Sequence, residues 1–111
     1  MLPSYVVLDL ETTGGSATGD FVTEIAAVRI DNGQESERWS TLVNPGVPIP
    51  YFIQNLTGIN DAMVADAPRF KHLADKLLSL LEGSVLVAPR VRHQIPEIAI
   101  FSSAAPMEST T

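Results

Sequence analysis

The run Tyr5–Leu10, "YVVLDL", restricts the fold more than any other part of the chain. Five of its six residues are apolar or aromatic, the pattern of a strand covered on both faces. Yet Asp9 sits inside it and Glu11 follows. An unpaired carboxylate in such a place costs roughly several kcal/mol unless something neutralises it. Two residues apart in a strand, the two carboxylates point to one face.

The rest of the chain reads as partners for that strand. Thr12–Gly19 is rich in Gly, Thr and Ser, hence a loop. Phe21–Ile30 is a second strand, and Asp31-Asn32-Gly33 carries the Asn-Gly hairpin signal. Glu35–Val43 returns as a third strand with Glu35, Glu37, Trp39, Thr41 and Val43 on one face. Its mixed character suits a sheet edge. Asn44–Pro50 holds three prolines and is an extended loop. Pro50–Leu56 is a short helix with Gly58 just past its end, and Asn60 can cap a further turn over Asp61–Val64. A main helix is expected over 68–82, where Phe70, Leu73, Leu77, Leu78 and Leu81 recur at helical spacing before Gly83. Ser84–Ala88 is a second apolar strand that reads as buried on both faces. The right-handed crossover rule puts it beside strand one. The expectation is an α/β fold with a mixed sheet of order 3-2-1-4.

Length and charge narrow the function. The 111 residues suit one small domain, and with no cysteine there is neither a disulfide nor a thiolate metal site. Met1-Leu2-Pro3 lacks the basic start of a signal peptide, and no apolar run approaches the roughly 18 residues of a membrane span. A cytoplasmic protein without membrane contact is expected. The net charge of −6 and pI near 4.6 exclude a sequence-blind basic surface for nucleic acid. They leave room for nucleic acid held through a metal ion.

Asp9 and Glu11, at the carboxyl end of a central strand, occupy a usual place for a site in an open α/β sheet. Hard cations such as Mg²⁺ or Mn²⁺ take such ligands, and two of them can clamp a phosphodiester during in-line displacement. Thr12, Thr13 and Gly14 add hydroxyls and backbone N–H groups suited to the sugar or phosphate of a nucleotide. Asp-x-Glu by itself also fits a solvated turn.

"YVVLDLETTGG", "FVTEIAAVRI", the proline-rich loop, "IPYFIQNLTGINDAMVADAPRF", the amphipathic helix and "SVLVA" follow in order. This run, Tyr5 to about Ala88, resembles the DEDD exonucleases of the DnaQ-like (DEDDh) branch. That is the family of the proofreading epsilon subunit of bacterial DNA polymerase III and of RNase T. The resemblance implies a ribonuclease H-like fold and 3′–5′ exonuclease activity with two Mg²⁺ or Mn²⁺ ions. The implied partners are a single-stranded nucleic-acid 3′ end and a DNA polymerase subunit. It implies Asp9 and Glu11 as the catalytic, metal-binding pair. It also implies contacts to the terminal nucleotide from Leu10 and Thr12, and from Ile59 in "LTGIN" against the terminal base. Glu24 stands where the family also carries Glu, and a hydrogen-bonding role is expected for it.

After "VLVA" the family continues His-Asn-x-x-Phe-Asp. Here Pro89, Arg90, His93 and Gln94 stand at the His, Asn, Phe and Asp. The later His and Asp of the family are absent too. Residues 1–88 thus read as the N-terminal part of an exonuclease domain, and 89–111 as a divergent, irregular or disordered tail. A truncation or frameshift would produce that break, and a truncated fold would leave strand four open to self-association. Both histidines, His72 and His93, read as ordinary surface residues. Three readings stay open: a truncated exonuclease, a non-catalytic nucleotide- or partner-binding module, and a gene remnant.

Overall fold

The computed structural model describes residues 2–14 and 21–88. Three strands open the chain: β1 Ser4–Thr12, β2 Val22–Asp31 and β3 Gln34–Leu42. Two short helices follow, α1 Tyr51–Thr57 and α2 Asp61–Val64, then a 3₁₀ turn Phe70–His72, helix α3 Ala74–Leu81 and strand β4 Ser84–Val87. The sheet order is β3-β2-β1-β4, as the crossover rule requires. β1 pairs antiparallel with β2 and parallel with β4. Asn32 (φ 53°) and Gly33 (φ 77°) make the two-residue turn between β2 and β3, both left-handed as an Asn-Gly hairpin needs. Asn60 caps α2, accepting a 2.9 Å bond from Met63 N.

One face of the sheet carries the core. Val6 and Leu8 of β1, Ile25 and Ala27 of β2 and Leu86 of β4 pack against Leu77, Leu80 and Leu81 of α3 and Phe70. Arg29 ties α3 to the sheet: its Nη1 donates to Leu80 O (2.6 Å) and Glu82 O (2.8 Å), carbonyls at the helix end. Its Nε pairs with Asp31 (3.0 Å). A smaller cluster of Ile49, Ile53, Ile59 and Val64 sits under Leu42.

Three expectations need correction. β1 and β4 are not covered on both faces. Burial alternates along β1, leaving Tyr5 38% and Val7 36% exposed, and Val85 and Val87 are half-buried. The packed helix reaches one side only, and no described helix lies in the contact cluster of the other. The main helix does not run unbroken over 68–82. Pro68 O accepts from Asn44 N (2.9 Å) and Arg69 bridges Asn44 in extended conformation. The chain is therefore committed to a strand-like contact until Phe70, makes one 3₁₀ turn, and enters α3 only after Leu73. Glu35 does not share a face with Glu37. A register shift opposite Arg29/Ile30 turns it over. Glu35 pairs with Arg38 (2.6 Å), while Glu37 meets Lys76 of α3 (2.8 Å), which also lies 5.9 Å from the Trp39 ring centre. The expected tail, 89–111, lies outside the described residues. Among the described residues no helix is long and apolar enough to cross a membrane.

Candidate active site

The sheet's geometry fixes where the two carboxylates stand. The strand continues through both of them to Thr12, beyond the expected end at Leu10. Core residues Val6 and Leu8 alternate with Tyr5, Val7, Asp9 and Glu11, so the carboxylates share the open face of the sheet. Asp9 is exposed and Glu11 half-buried. β4 pairs from Ser4↔Ser84 to Val7↔Val87. It therefore stops two residues short of Asp9, which lies at the carboxyl edge of the parallel pair.

β2 adds an acidic residue for which the sequence suggested a hydrogen-bonding role. Glu24 stands directly opposite Glu11, half-buried, with Asp9 opposite Ala26. Like charges so opposed destabilise a sheet. The register then slips between Glu11 and Thr12, because Thr12 faces Val22 and Thr23 is the extra residue. Thr23 is buried and its carbonyl accepts from Val43 N (2.7 Å). Such bulges re-aim side chains beside sites. The facing of Glu24 depends on a register set across a long loop, so strand alternation alone could not reveal it. Among the described residues, Glu24 makes no side-chain hydrogen bond of the kind expected for it.

The hydroxyls have local work. Thr13 is buried, its N donating to Phe21 O (2.9 Å) and its Oγ1 accepting from Phe21 N (3.1 Å), which closes the loop after β1. Thr12 Oγ1 accepts from Gly14 N (3.3 Å). Gly14 has φ 141°, a conformation that favours glycine. A Cβ there would stand 3.5 Å from Ile53 Cγ1, so α1 packs on this loop.

The expected nucleotide contacts divide. Leu10 points to the core side, partly buried against the main cluster. Ile59 is 4% exposed within the smaller cluster. Asp9, Glu11 and Thr12 remain together at the strand end. His72 lies exposed in the 3₁₀ turn. Carboxylate oxygens suit Mg²⁺ or Mn²⁺, and Asp9 with Glu11 fit such an ion as a pair of donors. Among the described residues no group of three His, Cys, Asp or Glu side chains converges to hold one.

The exonuclease family model (RNase_T) matches residues 6–101. The chain is 44% identical over 92 residues to the 3′-5′ exonuclease DinG of Bacillus subtilis (strain 168), covering 82% of this chain and 10% of that one. It is 37% identical over 92 residues to the DNA polymerase III subunit epsilon of Aquifex aeolicus (strain VF5), covering 83% and 46%. Among solved structures, an exonuclease X in complex with 5′ overhanging duplex DNA matches with TM-score 0.67 at 27% identity, covering 95% of this chain and 57% of that one. An exonuclease I matches with TM-score 0.74 at 15% identity, a likeness of fold, and covers 98% and 29%. The chain thus spans from a tenth to under half of these two curated relatives. With the acidic strand end, the sheet order and the family match in agreement, the chain belongs to the exonuclease family, on a ribonuclease H-like fold.

Proposed function

We propose that this chain carries the Asp9–Glu11 half of a metal-dependent 3′–5′ exonuclease site, acting on single-stranded nucleic-acid 3′ ends. The observation that carries the reading is the pairing of Asp9 and Glu11 on one face at the carboxyl edge of the central strand. Family members generally depend on divalent metal. A bound Mg²⁺ or Mn²⁺ supplies positive charge to phosphate oxygens. Asp9 and Glu11 would hold it, and Thr12 and Thr13 shape the loop beside it. Relatives named as DNA polymerase III subunits make a polymerase subunit the partner class of this reading, and a cytoplasmic location goes with it.

The test is hydrolysis of a 3′-labelled single-stranded oligonucleotide with Mg²⁺ or Mn²⁺, beside Asp9→Ala. Turnover lost in the variant supports the reading. No turnover in either protein overturns it for this chain.

One observation favours a second reading, a non-catalytic nucleotide- or partner-binding module: the described residues hold no three-ligand metal group. Metal binding without turnover would support it. Self-association through the uncharged edge of β4, "SVLV", belongs to either reading.

A further inference from the structure

Glu24 faces acids on one side and hydrocarbon on the other. Cross-strand residues directly opposite each other share a face with Cβ atoms about 4.5–5.5 Å apart, and diagonal neighbours stand about 7–8 Å apart. Glu24 has Glu11 opposite it on β1 and Asp9 on the diagonal. On β3 its opposite residue is Leu42, which packs against Ile49, Ile53, Ile59 and Val64. Ala26 follows on the same face of β2, opposite Ser40. None of these neighbours is a cation. The ion pairs among the described residues join Arg29, Arg38 and Lys76 to Asp31, Glu35 and Glu37. Glu24 is nevertheless half-buried. Burying charge without a partner is costly, and the register keeps this one beside two like charges.

We propose that Glu24 is a positioning residue of the metal site: it accepts hydrogen bonds from water on an ion held by Asp9 and Glu11, without ligating the ion itself. The inference rests on the exonuclease reading and adds a residue to which that reading gives no role. Direct ligation by all three carboxylates is set aside, because no such group converges on a metal among the described residues. Mg²⁺ takes about six oxygens in an octahedron, gives up water reluctantly and is usually bound through one or two carboxylates. Two carboxylates at one strand end therefore leave it carrying several waters. Those waters need acceptors, and outer carboxylates that supply them orient and tune metal sites. Glu24 is brought opposite Glu11 from a second strand. Its backbone is held beside the bulge, where Thr23 is buried and its carbonyl accepts from Val43 N (2.7 Å). The charge that destabilises the metal-free strand pair then attracts the hydrated cation.

The test measures Mg²⁺ and Mn²⁺ binding to the full chain by calorimetry, in the native protein, Asp9→Ala, Glu24→Gln and Glu24→Asp. Glu24→Gln keeps the size of the side chain and removes its charge. It should weaken both ions about 10- to 100-fold. Asp9→Ala should abolish binding, and Glu24→Asp, which restores the charge, should recover part of the loss. Water proton relaxation counts the waters on bound Mn²⁺. That count should be the same in Glu24→Gln as in the native chain, since no ligand is lost. Circular dichroism in EDTA checks that each variant folds. A native chain that binds neither ion overturns the proposal, as do unchanged affinity in Glu24→Gln and a Glu24→Asp chain that binds no better than Glu24→Gln. One extra water on Mn²⁺ in Glu24→Gln also overturns it, by making Glu24 a direct ligand. Metal binding that needs Asp9 but not Glu24 would sink this inference alone. Metal binding that needs both, without hydrolysis of the 3′-labelled strand, would sink the exonuclease reading alone.

Discussion

Glu11 and Glu24 face each other across β1 and β2 beside a bulge, with Asp9 two residues away on the same face. Opposed like charges destabilise a sheet, on the scale of the roughly 0.2–1 kcal/mol that a favourable cross-strand pair contributes. Glu24→Gln should therefore raise the metal-free melting temperature, by about 1–6 °C for a domain of this size. A ligand that binds only the folded state stabilises it in proportion to the logarithm of its concentration above Kd. Mg²⁺ should thus raise the melting temperature of the native chain, and Asp9→Ala should abolish that rise. Thermal unfolding in EDTA and in a Mg²⁺ series measures both. A Glu24→Gln chain that melts below the native one in EDTA would show that Glu24 stabilises the strand end.

At the scale of elements, the hairpin, the Asn60 cap and the strand order were legible because each follows from a few adjacent residues or a chirality rule. The Asn32-Gly33 pair demands its turn, and the crossover from β1 to β4 has one favoured hand. Asp9 and Glu11 were legible for the same reason, through period two along one strand. What was hidden depends on distant partners. The break before α3 comes from Asn44 holding Pro68 and Arg69. The turned-over Glu35 comes from a bulge set by β2. The open face of β1 comes from which helix reaches it. Arg29 is another distant tie, clasping the end of α3 while pairing with Asp31. Hydrogen bonds from Ser36, Ser4 and Arg29 hold the Asp31 carboxyl well below the ordinary carboxylate range. A depressed folded value means the unfolded state binds the proton more readily. The contribution is whole above about pH 4, the ordinary value, and is lost as pH falls toward the folded one. Urea unfolding of the native chain and Asp31→Asn should diverge at pH 5 and converge between pH 4 and 2. A constant gap over that range would remove Asp31 from the acid limb.

At the scale of the molecule, the two sheet edges differ. The β3 edge carries Glu35, Glu37 and Arg38, charges that discourage pairing with another chain. Among the described residues the β4 edge has none, and it borders a face on which Tyr5 and Val7 are partly exposed. The relatives are longer than this chain, so the same face need not be open in them. In a 111-residue chain studied alone, an uncharged edge and an apolar face together favour association. Sedimentation velocity should show mass rising with concentration between about 1 and 100 μM, the range in which partly exposed apolar surface causes association. Val7→Lys places a charge on the face at a site already 36% exposed, so the variant should fold and sediment as a smaller species. A native chain monomeric throughout would mean that the face is covered within one chain. An associating chain unaffected by Val7→Lys would move the contact to the α1 surface, where Phe52→Ala would then disperse it.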